Sequence, residues 1–281
     1  MTRESFMVVH PHGLAEVYSM RKGTLTREII IRTLLDVLQP LNYVHAFYEG
    51  GAAAFNRIDE WSDIDLYVVV EDERHKDAFL VVENALKTLS PITQKYEVTQ
   101  SQWPGLFQAF YKLEKASEYL IIDLAILKLS CPEKLLEPKM HGNNVFYFNK
   151  ADKISVPALD KKDFVKKLNE RLTRLQARFE MFNIVVQKEI NRGNSLEALD
   201  LYHMVTIALL IEVLRIKHNP IHYDFKTRYL HYELPVKTVK RLESLCFVKD
   251  ANDLQEKYQQ ASKWFSVTLA TITEDKMKKL L

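Results

Sequence analysis

At 281 residues, with 47% hydrophobic and 27% charged side chains, the chain suits one large or two ordinary globular domains with a substantial core. Lys+Arg 39 against Asp+Glu 37 leaves a net charge of +2, too balanced for a protein that holds nucleic acid through a basic field, so a nucleic-acid partner is not expected. Cys131 and Cys246 are lone cysteines without metal-ligand spacing, which argues against zinc and against a disulfide framework. Residues 1–13 lack the apolar core of a signal peptide, and residues 201–214, the most apolar helical run, contain His203 and Glu212 and are too short for a bilayer. The expectation is a cytoplasmic protein with no membrane partner.

Taken in chain order, residues 1–23 open with His10 and His12, an i, i+2 pair that could chelate a metal but lacks a third ligand, and an exposed loop is expected there. Residues 24–38 predict an amphipathic helix, with Ile29, Ile30, Leu34, Val37 and Leu38 as its apolar stripe and Pro40 closing it. Residues 44–49 predict the first strand, ending at Gly50-Gly51. The small residues 52–55 can begin a short helix whose N–H groups face an anion; Arg57 could reach a phosphate from there, and reads equally as a solvated surface arginine.

Eleven residues after the glycine pair come Asp63 and Asp65, opening a Val-rich strand over residues 64–70. A strand puts i and i+2 on one face, so the two carboxylates project together and repel unless a cation lies between them. An acidic pair at this spacing is common by itself, roughly five being expected by chance in such a chain. The ordered set of apolar strand, Gly-Gly, gap, Asp-hydrophobic-Asp and apolar strand is not. Mg²⁺, which takes hard oxygen ligands and usually one or two carboxylates plus phosphate oxygens, suits it.

Residues 71–73 are a solvated loop, and residues 75–89 predict a helix burying Phe79, Val82, Ala85, Leu86 and Leu89. Residues 93–98 and 106–113 predict strands joined through a turn at Pro104-Gly105. Residues 119–129 predict a buried strand with Asp123 in its middle, where an ionised carboxylate is costly unless paired or metal-bound. Lys128 reads as an ordinary strand-end lysine.

From about residue 160 the apolar period changes to three and four. This places a domain boundary near 150–160, with domains of 1–155 and 156–281. Phe164, Leu168, Leu172, Leu175, Phe179, Phe182, Val186 and Ile190 form one long stripe ending at Gly193. Asn194 with Glu197 predicts a capped start for a helix running to about Lys217. Residues 235–247 and 253–280 predict two more helices and hence a bundle.

The stretch from Glu49 to Val70 resembles the signature of the DNA polymerase β-like nucleotidyltransferases, and within them the aminoglycoside and lincosamide nucleotidyltransferases and their uncharacterised relatives. The order of elements extends the resemblance to about Lys128. Many members have serine where this chain has Gly51; backbone N–H groups can take over its contact with phosphate. The resemblance implies an α/β (α+β) fold, a mixed sheet with flanking helices followed by a helical acceptor domain. It implies an adenylyltransferase using Mg²⁺ and ATP or another nucleoside triphosphate, acting on a hydroxyl of a small molecule, with antibiotic resistance as the associated role. Asp63, Asp65 and Asp123 are then the catalytic and metal-binding residues, Asp123 being the third carboxylate on a later strand. Gly50, Gly51, Ser62 and Arg57 are then the nucleotide contacts. A homodimer is compatible with it.

Tyr202, Tyr223, Tyr229, Tyr232, His203 and His222 are candidates to line an acceptor pocket, and Glu197 and Glu212 to activate an acceptor hydroxyl, although each has an ordinary core or surface reading. Arg215 with His218, and Arg228 with His231, are too closely spaced for the Arg-x(4–6)-His mark of RNA-cleaving helical partners. Two other functions stay open: nucleotidyl transfer to an RNA end or a protein, and non-catalytic nucleotide binding.

Overall fold

In a computed structural model, which describes residues 25–99 and 103–281, the stripe of residues 24–38 becomes helix α1 (Arg27–Leu38). His10 and His12 lie outside the described residues. Thr26 caps α1 by accepting from the Ile29 N–H, and Ile30, Ile31, Leu34 and Leu38 are buried. The chain then forms β1 (Val44–Glu49), the single turn α2 (Gly51–Ala54), β2 (Ile64–Val70), α3 (His75–Leu89), β3 (Ile92–Glu97), β4 (Leu106–Leu113), β5 (Ile122–Lys128), α4 (Pro138–His141) and β6 (Val145–Asn149).

The six strands make one mixed sheet in the order β3-β4-β5-β2-β1-β6. β2 and β5 run parallel, and the other neighbouring pairs are antiparallel. A parallel pair needs a long crossover, which α3 and the β3–β4 hairpin supply. One face of the sheet (Phe47, Leu66, Val68, Leu124, Ile126 among others) is covered by Ile30, Leu34, Ala78, Val82 and Leu86 of α1 and α3. On the other face Ala46, Tyr48, Val69, Ala125 and Leu127 pack with Cys131, Leu136 and Ile154. Burying each Val, Leu or Ile in this way contributes about 1.5–3 kcal/mol, so the sheet is a rigid base for whatever its strand ends carry.

The strand β6 is absent from the sequence reading. Its residues Val-Phe-Tyr-Phe-Asn are all half-buried and show neither alternation nor a continuous buried run, because the strand lies at the sheet edge.

The chain divides into two compact units, Met1–Pro157 and Ala158–Leu281. The second is helical: α5 (Lys161–Phe182), α6 (Ile184–Arg192), α7 (Ser195–Leu201), a π-helical segment (Tyr202–Ile207), α8 (Ala208–His218), α9 (Leu230–Glu233), α10 (Val236–Cys246), α11 (Ala251–Ala270) and α12 (Glu274–Leu280). The long stripe of residues 164–190 is therefore two helices, parted at Asn183, and Phe182 is exposed rather than part of the buried face. Asn183 is buried and spends its side chain on Tyr258, Ser262 and Thr206, at 3.1, 2.9 and 2.6 Å. Tertiary hydrogen bonds set the break.

Asn194 does not cap α7; its amide donates to Glu189 Oε2 at 2.8 Å, a buried acceptor that outcompetes the local cap. Residues 253–280 form two helices as well, since Thr273 caps a new start by accepting from the Lys276 N–H. Among the described residues no helix is long and apolar enough to cross a membrane.

Candidate active site

The parallel register of β2 and β5 pairs Ile64 with Ile122 and Asp65 with Asp123. Paired residues on neighbouring strands share a face, so the two carboxylates lie side by side at the strands' N-terminal ends, on the face opposite α1 and α3. Asp63 sits one residue before β2, whose N–H at Ile64 donates to the Ile121 carbonyl at 2.9 Å. The i, i+2 pair and the later aspartate, 58 residues apart in sequence, are thus drawn to one place.

Their electrostatics agree. Burial pushes Asp123 up to about 6; a hydrogen bond from Gln108 Nε2 to Oδ1 (2.7 Å) pulls against this, and the charges of Asp65 and Asp63 add to the rise. Asp63 is also raised, by burial first, with the Ile121 N–H and the charges of Arg27 and Lys112 opposing.

Gly50 and Gly51 have distinct tasks. Gly50 continues the β1–β2 ladder by donating its N–H to the Asp65 carbonyl at 2.9 Å. Gly51 opens α2 with φ +52°, and a Cβ there would lie 1.7 Å from Asp65 Oδ2. The Asp65 carboxylate therefore occupies the space a side chain would need, and serine at this position would both strain the backbone and displace it. The first N–H groups of α2 have no acceptor within so short a helix and suit an anion brought to the carboxylates.

Arg57 lies over the Phe55 ring, 5.1 Å from its centroid, with its backbone N–H on the Ala52 carbonyl. Ser62 is occupied in a turn: its hydroxyl donates to Asp59 Oδ1 at 2.8 Å and accepts from the Asp59 N–H at 2.9 Å. Its hydroxyl shapes the loop ahead of Asp63.

A second layer escaped the sequence reading. Glu49 is buried at the end of β1, paired with Arg27 of α1, and accepts from Tyr147 of β6 at 2.6 Å. The same guanidinium donates to the Asp63 carbonyl. Arg27 thus ties the backbone of the acidic pair to the helix layer. Glu49 and Tyr147 are recognisable only once β6 is placed beside β1, and Gln108 only once β4 is placed beside β5.

Among the described residues no group of three or more His, Cys, Asp and Glu side chains already has the spacing of a metal cage. Mg²⁺ asks for less: one or two carboxylates, with phosphate and water oxygens completing the shell. Asp63 and Asp123, hard oxygen donors whose pKa values are raised first by burial, and Asp65 beside them fit that ion.

The helical-unit candidates separate. Tyr202 is fully buried, its hydroxyl donating to the Leu245 carbonyl at 3.0 Å, and belongs to the core. His222 is buried, stacked on Phe225 and bonded to Glu233 Oε1 at 2.9 Å. Glu212 takes both nitrogens of an Arg171 fork. His203 packs edge-on against Tyr202, and Tyr223 lies tilted against Phe164. Tyr229 and Tyr232 pack edge-to-face, with Tyr232 exposed. Glu197 is exposed on α7.

No family model and no curated protein matches the chain. Solved structures similar to it include an aminoglycoside 6-adenyltransferase from Bacillus subtilis, 13% identical over 91% of this chain and 96% of that one, with a TM-score of 0.33. A spectinomycin adenyltransferase from Enterococcus faecialis, solved with ATP and spectinomycin, is 12% identical over 86% and 100%, with a TM-score of 0.35. A nucleotidyltransferase-like protein from Exiguobacterium sibiricum is 11% identical over 88% and 75%, also at 0.35. At these TM-scores the likeness is loose.

Proposed function

We propose that the protein transfers a nucleoside monophosphate, AMP from ATP, to a hydroxyl group of a small molecule. One observation supports the reading: the β2–β5 register pairs Asp65 with Asp123 on one sheet face, close enough to Asp63 for its charge to act on Asp123, with Gly51 making room for the Asp65 carboxylate. A carboxylate raised by burial and by the charges of two neighbouring acids, as Asp123 is, is unfavourable for folding alone, and such perturbed groups mark candidate functional sites.

Asp63 and Asp65 would hold Mg²⁺, which when bound supplies the positive charge that offsets the triphosphate. Residues of the chain do the rest. The amides at the start of α2 meet the phosphate tail. Gln108 fixes Asp123 through Oδ1 and leaves Oδ2 to take a proton. The acceptor O–H loses that proton to Asp123 as its oxygen bonds to the α-phosphorus, and the bond from that phosphorus to the bridging oxygen breaks to release pyrophosphate. With its pKa near 6, Asp123 is mostly ionised at neutral pH yet basic enough to receive the proton. Positioning and charge neutralisation would supply most of the acceleration. Aminoglycosides and lincosamides are the first acceptors to try.

The test is pyrophosphate release from ATP and Mg²⁺ across a panel of such acceptors, with Asp63→Ala as the blank. Release that needs one acceptor and disappears in the variant supports the reading. Full transfer by correctly folded Asp63→Ala and Asp65→Ala proteins would sink it.

A further inference from the structure

Trp61 and Tyr119 are placed by the same two strands as the carboxylates. Trp61 lies two residues before Asp63 in the segment entering β2, and Tyr119 four residues before Asp123 in the segment entering β5. Chain geometry keeps their Cα atoms within roughly 7 Å and 14 Å of those aspartates. The rings meet edge to face, with centroids 5.0 Å apart and planes at 77°, yet they are 59% and 54% exposed. Exposure alone selects nothing, since Leu196 and Phe247 are more exposed still. What distinguishes this pair is its position. The glycine turn flanks β2 on the β1 side, and the aromatic pair bridges β2 to β5 on the other.

The loop that presents Trp61 is also fixed. Its N–H donates to Asp59 Oδ1 at 3.0 Å, inside the turn that Ser62 closes. Three polar groups bond to these segments of the chain: Ser62 Oγ to Asp59, Ser117 Oγ accepting from the Tyr119 N–H at 3.3 Å, and Lys112 Nζ to the Glu118 carbonyl at 3.0 Å. The pair thus offers exposed ring faces and edges to a ligand.

We propose that Trp61 and Tyr119 form a stacking platform for the nucleobase of the triphosphate, a platform that accepts any planar base. This rests on the nucleotidyltransfer reading. It assigns the phosphate tail to the Gly51 side of the carboxylates and the base to the β5 side. Stacking grips a base without reading its edge, because every base has a π face.

The experiment measures binding of ATP, GTP and inorganic tripolyphosphate, each with Mg²⁺, by calorimetry, together with tryptophan fluorescence. ATP and GTP are expected to bind within about threefold of each other and to quench Trp61 emission, whereas tripolyphosphate, which has no base, binds without quenching. Trp61→Ala should weaken ATP about tenfold and leave tripolyphosphate unchanged. Trp61→Phe, which keeps a ring, should restore most of the ATP affinity. ATP and tripolyphosphate that bind the wild type, with Trp61→Ala equal to it for both, would overturn the platform and leave the site's chemistry standing. Failure of the wild type to bind either would overturn both.

Discussion

At the scale of single residues, Gly51 and Asp123 carry the most specific consequences. Alanine or serine at position 51 would enter the left-handed region and meet the Asp65 carboxylate. Gly51→Ser is expected to lower stability by about 1–2 kcal/mol from backbone strain alone and, on the nucleotidyl-transfer reading proposed above, to abolish Mg²⁺-dependent ATP binding by moving Asp65. A folded Gly51→Ser protein that binds ATP normally would show that the close approach is not needed. Asp123 gives a pH test. Its folded pKa, about 6, lies above the ordinary carboxylate value, so between roughly pH 4 and 6 the folded protein holds a proton that the unfolded chain has released. Stability from this group is therefore present at low pH and lost as pH rises through 6, by up to about 3 kcal/mol. Asp123→Asn keeps the acceptor for Gln108 and removes the charge. In EDTA, its melting temperature should exceed that of the wild type at pH 8 and do so by only about half as much at pH 5, where the loss is half complete. Equal melting at both would argue that the carboxylate is not desolvated as placed.

At the scale of elements, two ion-pair networks fix how segments meet. Arg27, Glu49 and Tyr147 join α1, β1 and β6, with the Arg27 and Glu49 side chains 13% and 4% exposed. Removing one charge from such a pair leaves the other without its counterion. Glu49→Gln should cost about 3 kcal/mol in urea unfolding, and a cost under 0.5 kcal/mol would mean the pair is not structural. In the helical unit, buried Arg215 donates to the Lys226 and Arg228 carbonyls and to Glu233, tying the segment between α8 and α10 to α8. Burial alone would raise the Glu233 pKa, but hydrogen bonds and charge from His222 and Arg215 bring it down to about 2. A lowered carboxylate pKa stabilises the fold above the unfolded value and loses that contribution as pH falls through the folded one. Glu233→Gln should therefore weaken the protein at pH 7 and flatten its acid unfolding, by circular dichroism, between about pH 4.5 and 2. An unchanged acid limb would contradict the network. Elements were also where the sequence misled. Asn183 broke a continuous stripe and Asn194 abandoned its cap, both because a distant or buried partner outbid the local pattern.

At the scale of the whole molecule, the division at Pro157 and Ala158 falls in an exposed stretch outside regular structure, residues 155–158. Limited proteolysis should cut first there and yield two fragments that resist further digestion, as expected of units with their own cores. Early cleavage within β2 or α8 instead would contradict it. The sequence alone determined the features governed by local spacing: the Asp-x-Asp pair after a double glycine, the helix-and-strand periods, and the change of period near residue 160. It also determined the balanced charge. Only the tertiary structure decided what depends on pairing between distant segments. The β2–β5 register put Asp123 beside Asp65, the β4–β5 ladder gave Asp123 its Gln108, and β6 brought Tyr147 to Glu49. Carboxylates far apart in a chain repel or ignore one another until a sheet fixes their separation, and that separation is a property of the fold rather than of any local pattern.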